Sequence, residues 1–525
     1  MSAAVVDRGR HPPSITVPRQ YNAAAEFVDR HLHEGRGGRI AVIDDGGRYT
    51  YADVAQRVNR AGNALLGLGV GMESRVALCL LDNVDFPAAF WGAMKIGAVP
   101  IPLNTLLTTS DYEYMLRDSR AHTLVVSEAL YDTFAPILDA QPYLENVVVA
   151  GGDQSGLDLT ALMAAASPEL EAAATTADDV AFWLYTSGST GNPKGSMHLQ
   201  SDIVHTAVLY GTEVLGLRED DVVFSAAKLF FAYGLGNGLT FPFYVGATAV
   251  LMAERPTPEA VLERLRTHEP TIYFGVPTLY GAILADPLND RSRSSPRLRA
   301  CVSAGEALPE GVGHAWEERF DVPILDGLGS TEMLHIFLSN TAGAYRYGTS
   351  GKAVPGYELK LLDEGGAGVP DGDMGELWVR GPSSAVAYWN QRAKSVDTFH
   401  GPWTRTGDKY RIDDDGYYTY CGRTDDMLKV SGNWVSPFEV ESALIGHDAV
   451  LEAAVVGHDD EQQLTKPKAF VVLNEGVSAS AALEDELKQF VKQKLAPYKY
   501  PRWIAFADAL PKTATGKIKR FLLRD

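Results

Sequence analysis

The stretch YTSGSTGNPKG, Tyr185 to Gly195, places three glycines, four Ser or Thr hydroxyls and one lysine in eleven positions. Glycines let a backbone turn tightly and aim its amide hydrogens at one point. The hydroxyls of Thr186, Ser187, Ser189 and Thr190 add donors, Gly188 and Gly191 supply the turns, and Lys194 adds a point charge. Converging N–H groups of this kind make a nest for phosphate oxygens. The spacing is not GxxxxGK[ST], so the nest is not a Walker loop. The apolar, aromatic run DDVAFWLY (178–185) that precedes it reads as a strand, so the loop sits at a strand end rather than in a Ser/Gly linker.

Three further stretches carry chemistry. In DGLGSTEMLHIF (326–337) a strand runs into glycines and then Thr331 and Glu332. Glu332 alone reads as a solvated loop carboxylate. Beside a phosphate nest it can ligate Mg²⁺, which takes one or two carboxylates together with phosphate oxygens. In WTRTGDKYRIDDDGYYTYCGRTDDMLKVSG (403–432), TGD sets Asp408 at a turn where a carboxylate can take both hydroxyls of a ribose, and Arg423 follows in GRTDD. Both are also ordinary turn residues of a β meander. In LPKTATGKIKRFLLR (510–524), Lys517 follows a Thr–Gly turn and precedes a run expected to be a basic helix. By itself that run is a solvated charge cluster.

The elements that must hold these stretches alternate. RVALCLL (75–81), AVPIPLN (98–104), HTLVVS (122–127) and NVVVAG (146–151) read as strands, with an amphipathic helix DFPAAFWGAMKIG (85–97) between the first two. PTIYFGVP (270–277), LRACVSAG (298–305) and VPILDGLG (322–329) are strands that each end in a glycine-bearing loop. Such order argues for α/β layers with parallel sheets, whose ligands gather at strand ends. From about residue 345 the chain becomes glycine-punctuated and β-rich, and 438–525 mixes helix and strand as a separate α+β lobe.

Composition narrows the partners. The 525-residue chain is 46% hydrophobic and 22% charged, with net charge −20. An acidic surface of this size repels nucleic acid and anionic membranes, so neither is expected as a partner. A polyanionic ligand then needs a locally built site. Three cysteines, far apart and without a CxxC, exclude a disulfide framework and suit a reducing cytoplasm. No signal peptide or membrane span is read.

Taken together, the phosphate loop, the TE pair, TGD, GRTDD and the terminal PKTATGK occur in the order found in the adenylate-forming superfamily of acyl-CoA synthetases, adenylation domains and firefly-type luciferases, which the chain resembles over roughly residues 25–520. The resemblance implies a large N-terminal domain (1–424) of two α/β subdomains plus a β-barrel-like part. A small mobile α+β C-terminal domain (425–525) would follow, hinged at Asp425. It implies MgATP and coenzyme A as co-substrates. A carboxylate would attack the α-phosphate of ATP to give an acyl-adenylate, and a thiol would then displace AMP after the C-terminal lobe rotates. Lys517 would bridge carboxylate and α-phosphate, Lys194 and the loop hydroxyls would hold the outer phosphates, Thr331 would touch the α-phosphate and Glu332 would ligate Mg²⁺. Asp408 and Arg423 would hold the ribose, and SAGEA (303–307), with Gly305 and Glu306, would line the adenine and acyl walls. Lys429 and Gly432 would shape the channel for coenzyme A. Leu328 stands where many relatives carry a tyrosine that stacks on adenine.

Within the superfamily, SAAKLFFAYGLGNGLTFP (225–242) and STEMLHIFLSN (330–340) resemble the benzoate–CoA ligase subgroup. That implies an aryl pocket from Ala232, Tyr233, Ala304, Gly327, Leu328, His335 and Ile336. Tyr233 offers a face or edge to a ring, the alanines leave room, and Ile336 closes an apolar wall. His335 is either a hydrogen-bonded core histidine or a donor near the substrate. The resemblance implies benzoate as the acid, with a 4-hydroxybenzoate–CoA ligase or another aryl or short acyl-CoA synthetase as the alternative and a stand-alone carrier-protein adenylation enzyme behind it. A homodimer is compatible with this fold class. Acetylation of Lys517 by a lysine acetyltransferase, reversed by a deacetylase, would erase its charge and stop the first half-reaction alone.

Overall fold

The computed structural model describes residues 3–152, 156–186, 192–430, 433–460, 464–512 and 518–524, and for Lys429, Asn433 and Pro497 it describes the main chain alone. Four parallel strands form the smaller of two parallel sheets, in the order Val99–Pro102, Arg75–Cys79, Thr123–Ser127, Asn146–Ala150. Strands covered on both faces must be apolar throughout, and every residue of Thr123–Ser127 is buried.

The helix Asp85–Lys95 departs from the amphipathic expectation, because every residue from Phe86 to Lys95 is buried. It crosses the helix Tyr51–Gly67 at backbone distance. A Cβ on Gly92 would stand 2.9 Å from both Val58 O and Gly62 N. The buried cation at its end, Lys95, donates to Asp29 at 2.7 Å and to Asn59 at 2.6 Å.

The larger sheet has nine strands. Six parallel ones run Ile324–Gly329, Ala300–Ser303, Ile272–Gly275, Val222–Ser225, Thr248–Val250, Ile40–Asp44. Antiparallel strands close both ends, Gly47–Thr50 on one side and Ile336–Ser339 with Lys352–Ala353 on the other. The parallel arrangement brings Ser225, Gly275, Ser303 and Gly329 to one edge, where the glycine-bearing loops leave the sheet.

Two antiparallel units flank that edge. Val180–Thr186 and Lys194–Leu199 form a hairpin extended by Ala387–Tyr388. The β-barrel-like part is a five-stranded sheet of Glu358–Leu362, Gly375–Arg380, Trp403–Ile412, Phe399–His400 and Tyr418–Arg423.

The last lobe has its own hydrophobic core, including Leu428, Val435, Val440, Leu444, Val455, Val471, Leu487 and Val491. It is built on strands Val450–Asp459, Thr465–Leu473 and Trp503–Phe506. The helices Pro437–Ile445 and Ala481–Lys494 contribute buried residues to the same core. The basic run after Lys517 is not the expected helix. Among the described residues there, 518–524, only a 3₁₀ turn forms, Arg520–Leu522. Arg520 is instead fixed by Glu441 at 2.7 Å.

Candidate active site

The described ends of the phosphate loop lie on the two strands of a hairpin. Thr186 pairs with Lys194 and Tyr185 with Gly195. Ser187, Gly188, Ser189, Thr190 and Gly191 lie outside the described residues. The base of the hairpin is braced from several sides. Tyr185 Oη donates to Asp118 at 2.7 Å, and Tyr114 Oη donates to Pro193 O at 3.2 Å. Trp389 N donates to Gly195 O at 2.8 Å and its indole N–H to Asp118 O at 2.9 Å. The Trp389 ring also packs on Trp183, centroids 4.7 Å apart.

Lys194 holds its ammonium 4.1 Å above the ring of Tyr388. Burial lowers its pKa, and the nearby Glu332 carboxylate opposes that shift. The Tyr388 hydroxyl donates to Glu332 Oε1 at 2.6 Å. Burial and then the Glu332 charge raise the tyrosine's pKa, so it stays a donor. One aromatic side chain thus stands between the cation and the carboxylate assigned to phosphate and metal.

Thr331 and Glu332 lie in the tight connection between Ile324–Gly329 and Ile336–Ser339. Leu334 takes φ +65° in that connection, a conformation costly for a residue with a Cβ. Its main chain is pinned at each step. His198 Nε2 lies 2.7 Å from Thr331 O. Ala385 N donates to Glu332 O at 2.7 Å, and Ser383 Oγ to Met333 O at 2.8 Å.

Asp408 and Arg423 face each other across the strands Trp403–Ile412 and Tyr418–Arg423. Arg423 donates to Asp408 Oδ1 at 3.0 Å and to Thr406 O at 3.1 Å. The buried Asp408 charge raises the guanidinium's pKa. Asp408 does not sit at a turn, as TGD suggested, but inside the strand Trp403–Ile412, where the preceding Gly407 has φ +73°, a conformation that favours glycine. Arg423 also feels the charge of Glu332, and Lys194 feels Arg423, so the four charged groups share one neighbourhood.

The short helix Ala232–Leu235 starts the apolar wall. The Tyr233 hydroxyl donates towards Gly275 O and Val302 O, each at 3.2 Å, so it is spent on the ends of two parallel strands. His335 is buried against Phe241, Tyr210 and Tyr233, with centroids 4.5, 5.2 and 5.7 Å away. Its Nε2 faces two acceptors, Tyr233 O at 3.2 Å and Asn237 Oδ1 at 3.1 Å, and therefore carries the hydrogen. Burial lowers its pKa to about 3, which leaves a neutral ring with a bare Nδ1. Among the described residues neither His335 Nδ1 nor Asn237 Nδ2 has a hydrogen-bond partner. Ile336 and Ala304 are buried and Leu328 is half-buried. A Cβ on Gly327 would stand 3.0 Å from Ile336 Cγ2. Gly305, exposed at φ +94°, and the half-buried Glu306 follow the strand Ala300–Ser303.

Asp425 lies near enough to Arg405 to help stabilise its charge. Lys517 and Gly432 lie outside the described residues, and Lys429 is described only as main chain in Leu428–Val430. Sequence reasoning missed Tyr388, Trp389, Tyr114, Asp118, His198 and Asp202. The first four are far from the motifs they brace and belong to no motif of their own. His198 and Asp202 carried one legible signal, a histidine and a carboxylate four residues apart just after the phosphate loop.

The family profile described as AMP-binding enzyme matches residues 29–389, and that of the AMP-binding enzyme C-terminal domain matches 439–517. A benzoate–CoA ligase of Thauera aromatica is 62% identical over 524 residues, covering 99% of each chain. The solved structure of a benzoate CoA ligase from Burkholderia xenovorans LB400 is 52% identical with a TM-score of 0.90, over 96% of this chain and 100% of that one. The anthranilate CoA ligase AuaEII, solved in complex with anthranoyl-AMP, is 44% identical with a TM-score of 0.93, over 97% of each chain.

Proposed function

The chain belongs to the AMP-binding enzyme family, and from that premise we propose that it is an AMP-forming acid–thiol ligase that joins benzoate to coenzyme A. A benzoate oxygen attacks the α-phosphorus of ATP, the bond to the β-phosphate breaks, and pyrophosphate leaves. The thiol sulfur of coenzyme A then attacks the adenylate carbonyl, loses its proton and expels AMP. The observation that carries the reading is the meeting of four charged groups, Lys194, Glu332, Asp408 and Arg423, with Tyr388 between the first two. The apolar wall of Ala232, Tyr233 and Ile336 belongs to the strand ends and TE connection of the same fold edge.

Each side chain has a task in that reaction. Nucleophile and triphosphate repel each other, so positive groups must stand where charge builds. Lys194, with the loop amides and hydroxyls, serves the outer phosphates. Asp408, oriented by Arg423, takes the ribose hydroxyls. Among the described residues no cluster of three His, Cys, Asp or Glu could hold a metal by itself. A single carboxylate, Glu332, fits Mg²⁺ that shares its ligands with phosphate oxygens. Bound there, Mg²⁺ would neutralise charge on the triphosphate. Lys517 is assigned to the carboxylate–phosphate contact of the first half-reaction, and its acetylation would block that half alone. The separate core of the last lobe supports rotation about Asp425 between the half-reactions. The buried free thiols and the substrates ATP and coenzyme A fit a cytoplasmic enzyme.

AMP release with ATP, Mg²⁺ and coenzyme A, measured across benzoate, 4-hydroxybenzoate, cyclohexanecarboxylate and hexanoate, tests this. Benzoate is expected to be preferred. A preference for hexanoate overturns the aryl pocket, and no AMP with any acid overturns the ligase reading. 4-Hydroxybenzoate is the second reading, favoured by the unpaired His335 Nδ1 and Asn237 Nδ2 beside Tyr233.

A further inference from the structure

The strand Lys194–Leu199 carries Lys194 at one end and His198 near the other. Side chains two and four residues apart share a strand face, so Lys194 and His198 point the same way, about 13 Å apart along a rigid element. His198 is fully buried and stacks on Phe182, centroids 5.4 Å apart. Its two ring nitrogens meet oxygens only. Nδ1 lies 3.0 Å from Asp202 Oδ2, and Nε2 lies 2.7 Å from Thr331 O. Asp202 Oδ2 also accepts from Leu199 N at 3.0 Å, which fixes its carboxyl group beside the ring. A backbone carbonyl can only accept, so Nε2 carries a hydrogen and donates it to the main chain of the TE pair. Asp202 Oδ2 holds the ring at its other nitrogen.

We propose that His198, held by Asp202, is a positioning residue for the adenylation half-reaction, coupling the Lys194 strand to the Thr331–Glu332 peptide. Two links then set the spacing of the phosphate and metal groups. One runs through side chains, Lys194 over Tyr388 and Tyr388 to Glu332. The other runs through the strand, from Lys194 to His198 and on to Thr331 O. Among the described residues the other donor to Thr331 O is Leu334 N at 3.2 Å, within the same connection, so it does not tie that connection to the phosphate strand. The outer phosphates and their metal are needed only in the first half-reaction. The consequence is an asymmetry, in which loss of the grip slows adenylate formation and spares thioester formation.

This inference rests on the ligase reading, so the wild type is assayed first, with the acid of the panel that it uses best. His198→Phe keeps the ring on Phe182 and removes both nitrogens. At saturating ATP it is expected to form the adenylate about 10- to 100-fold more slowly, the effect of a small misplacement of reacting groups. AMP release from preformed acyl-adenylate and coenzyme A is expected to stay within about twofold of wild type on the same reasoning. His198→Gln keeps one donor for the Thr331 carbonyl and is expected to recover part of the loss, and Asp202→Asn to fall between. Equal losses in both half-reactions, or no loss in either, overturn the proposal while leaving the ligase reading intact. A wild type inert with every acid overturns both.

Discussion

At the scale of single residues, the site depends on side chains that hold other side chains. Tyr388 donates to Glu332 and lies under Lys194. Tyr388→Phe keeps the ring and removes the hydroxyl. Adenylation is expected to slow several-fold, with a stability loss of about 0.5–1.5 kcal/mol, the net value of one hydrogen bond. Half-reaction kinetics and urea denaturation check this, and an unchanged adenylation rate would show that Glu332 needs no holder. His335 makes a prediction about pH. Its pKa falls from 6.5 to about 3 on burial, so the folded state refuses a proton that the unfolded chain accepts. Its contribution is complete above pH 6.5 and is lost as pH falls from there towards 3. His31, also lowered to about 3 by burial, adds to the same trend. Denaturation midpoints measured from pH 7 to pH 4 are expected to drop, and to drop less steeply in His335→Asn.

At the scale of elements, two close approaches decide whether neighbouring pieces fit. Gly92 lets the helix Asp85–Lys95 touch the backbone of Tyr51–Gly67, with Val58 O and Gly62 N where a Cβ would be. Both obstacles are main chain, so Gly92→Ala must push the helices apart. A loss of about 1–3 kcal/mol is expected from overpacking, read as a lower urea midpoint with little change in the Michaelis constant for ATP. The phosphate hairpin shows the reverse case. Asp118 takes the hydroxyl of Tyr185 and offers its carbonyl to Trp389, bracing the hairpin from outside the ligand site. Asp118→Ala is expected to raise the Michaelis constant for ATP several-fold and to lower stability by about 0.5–1.5 kcal/mol, the net value of the Tyr185 hydrogen bond. If ATP affinity stays the same, the brace has no part in shaping the loop.

At the scale of the whole molecule, the last lobe has a hydrophobic core of its own, and the hinge proposed for it is Asp425. A hinge needs freedom in φ at few positions. Asp425→Pro fixes φ near −65° and is expected to slow one half-reaction at least tenfold while leaving the other close to wild type. Equal effects on both would place the pivot elsewhere. No helix among the described residues is long and apolar enough to cross a membrane.

The order of motifs along the chain, the alternation of strands and helices and the change of texture near residue 345 were all legible before any coordinates. Each rests on local chemistry: glycine at turns, β-branched runs in strands, hydroxyls and lysine at a phosphate nest. Two local readings failed because they ignored surroundings. Asp85–Lys95 is buried on every side, and the basic tail is held at Arg520 by Glu441 rather than wound into a helix. The bracing residues were decided only by tertiary structure. Tyr388 reaches Glu332 across 56 residues of chain, and Trp389 reaches Asp118 across 271. No local pattern marks a tyrosine as the partner of a distant carboxylate, because the spacing that matters is set by sheets packing together. His198 lies between the two cases. Its place beside the phosphate strand is local, but its doubly bonded state depends on Thr331, brought to it by the fold.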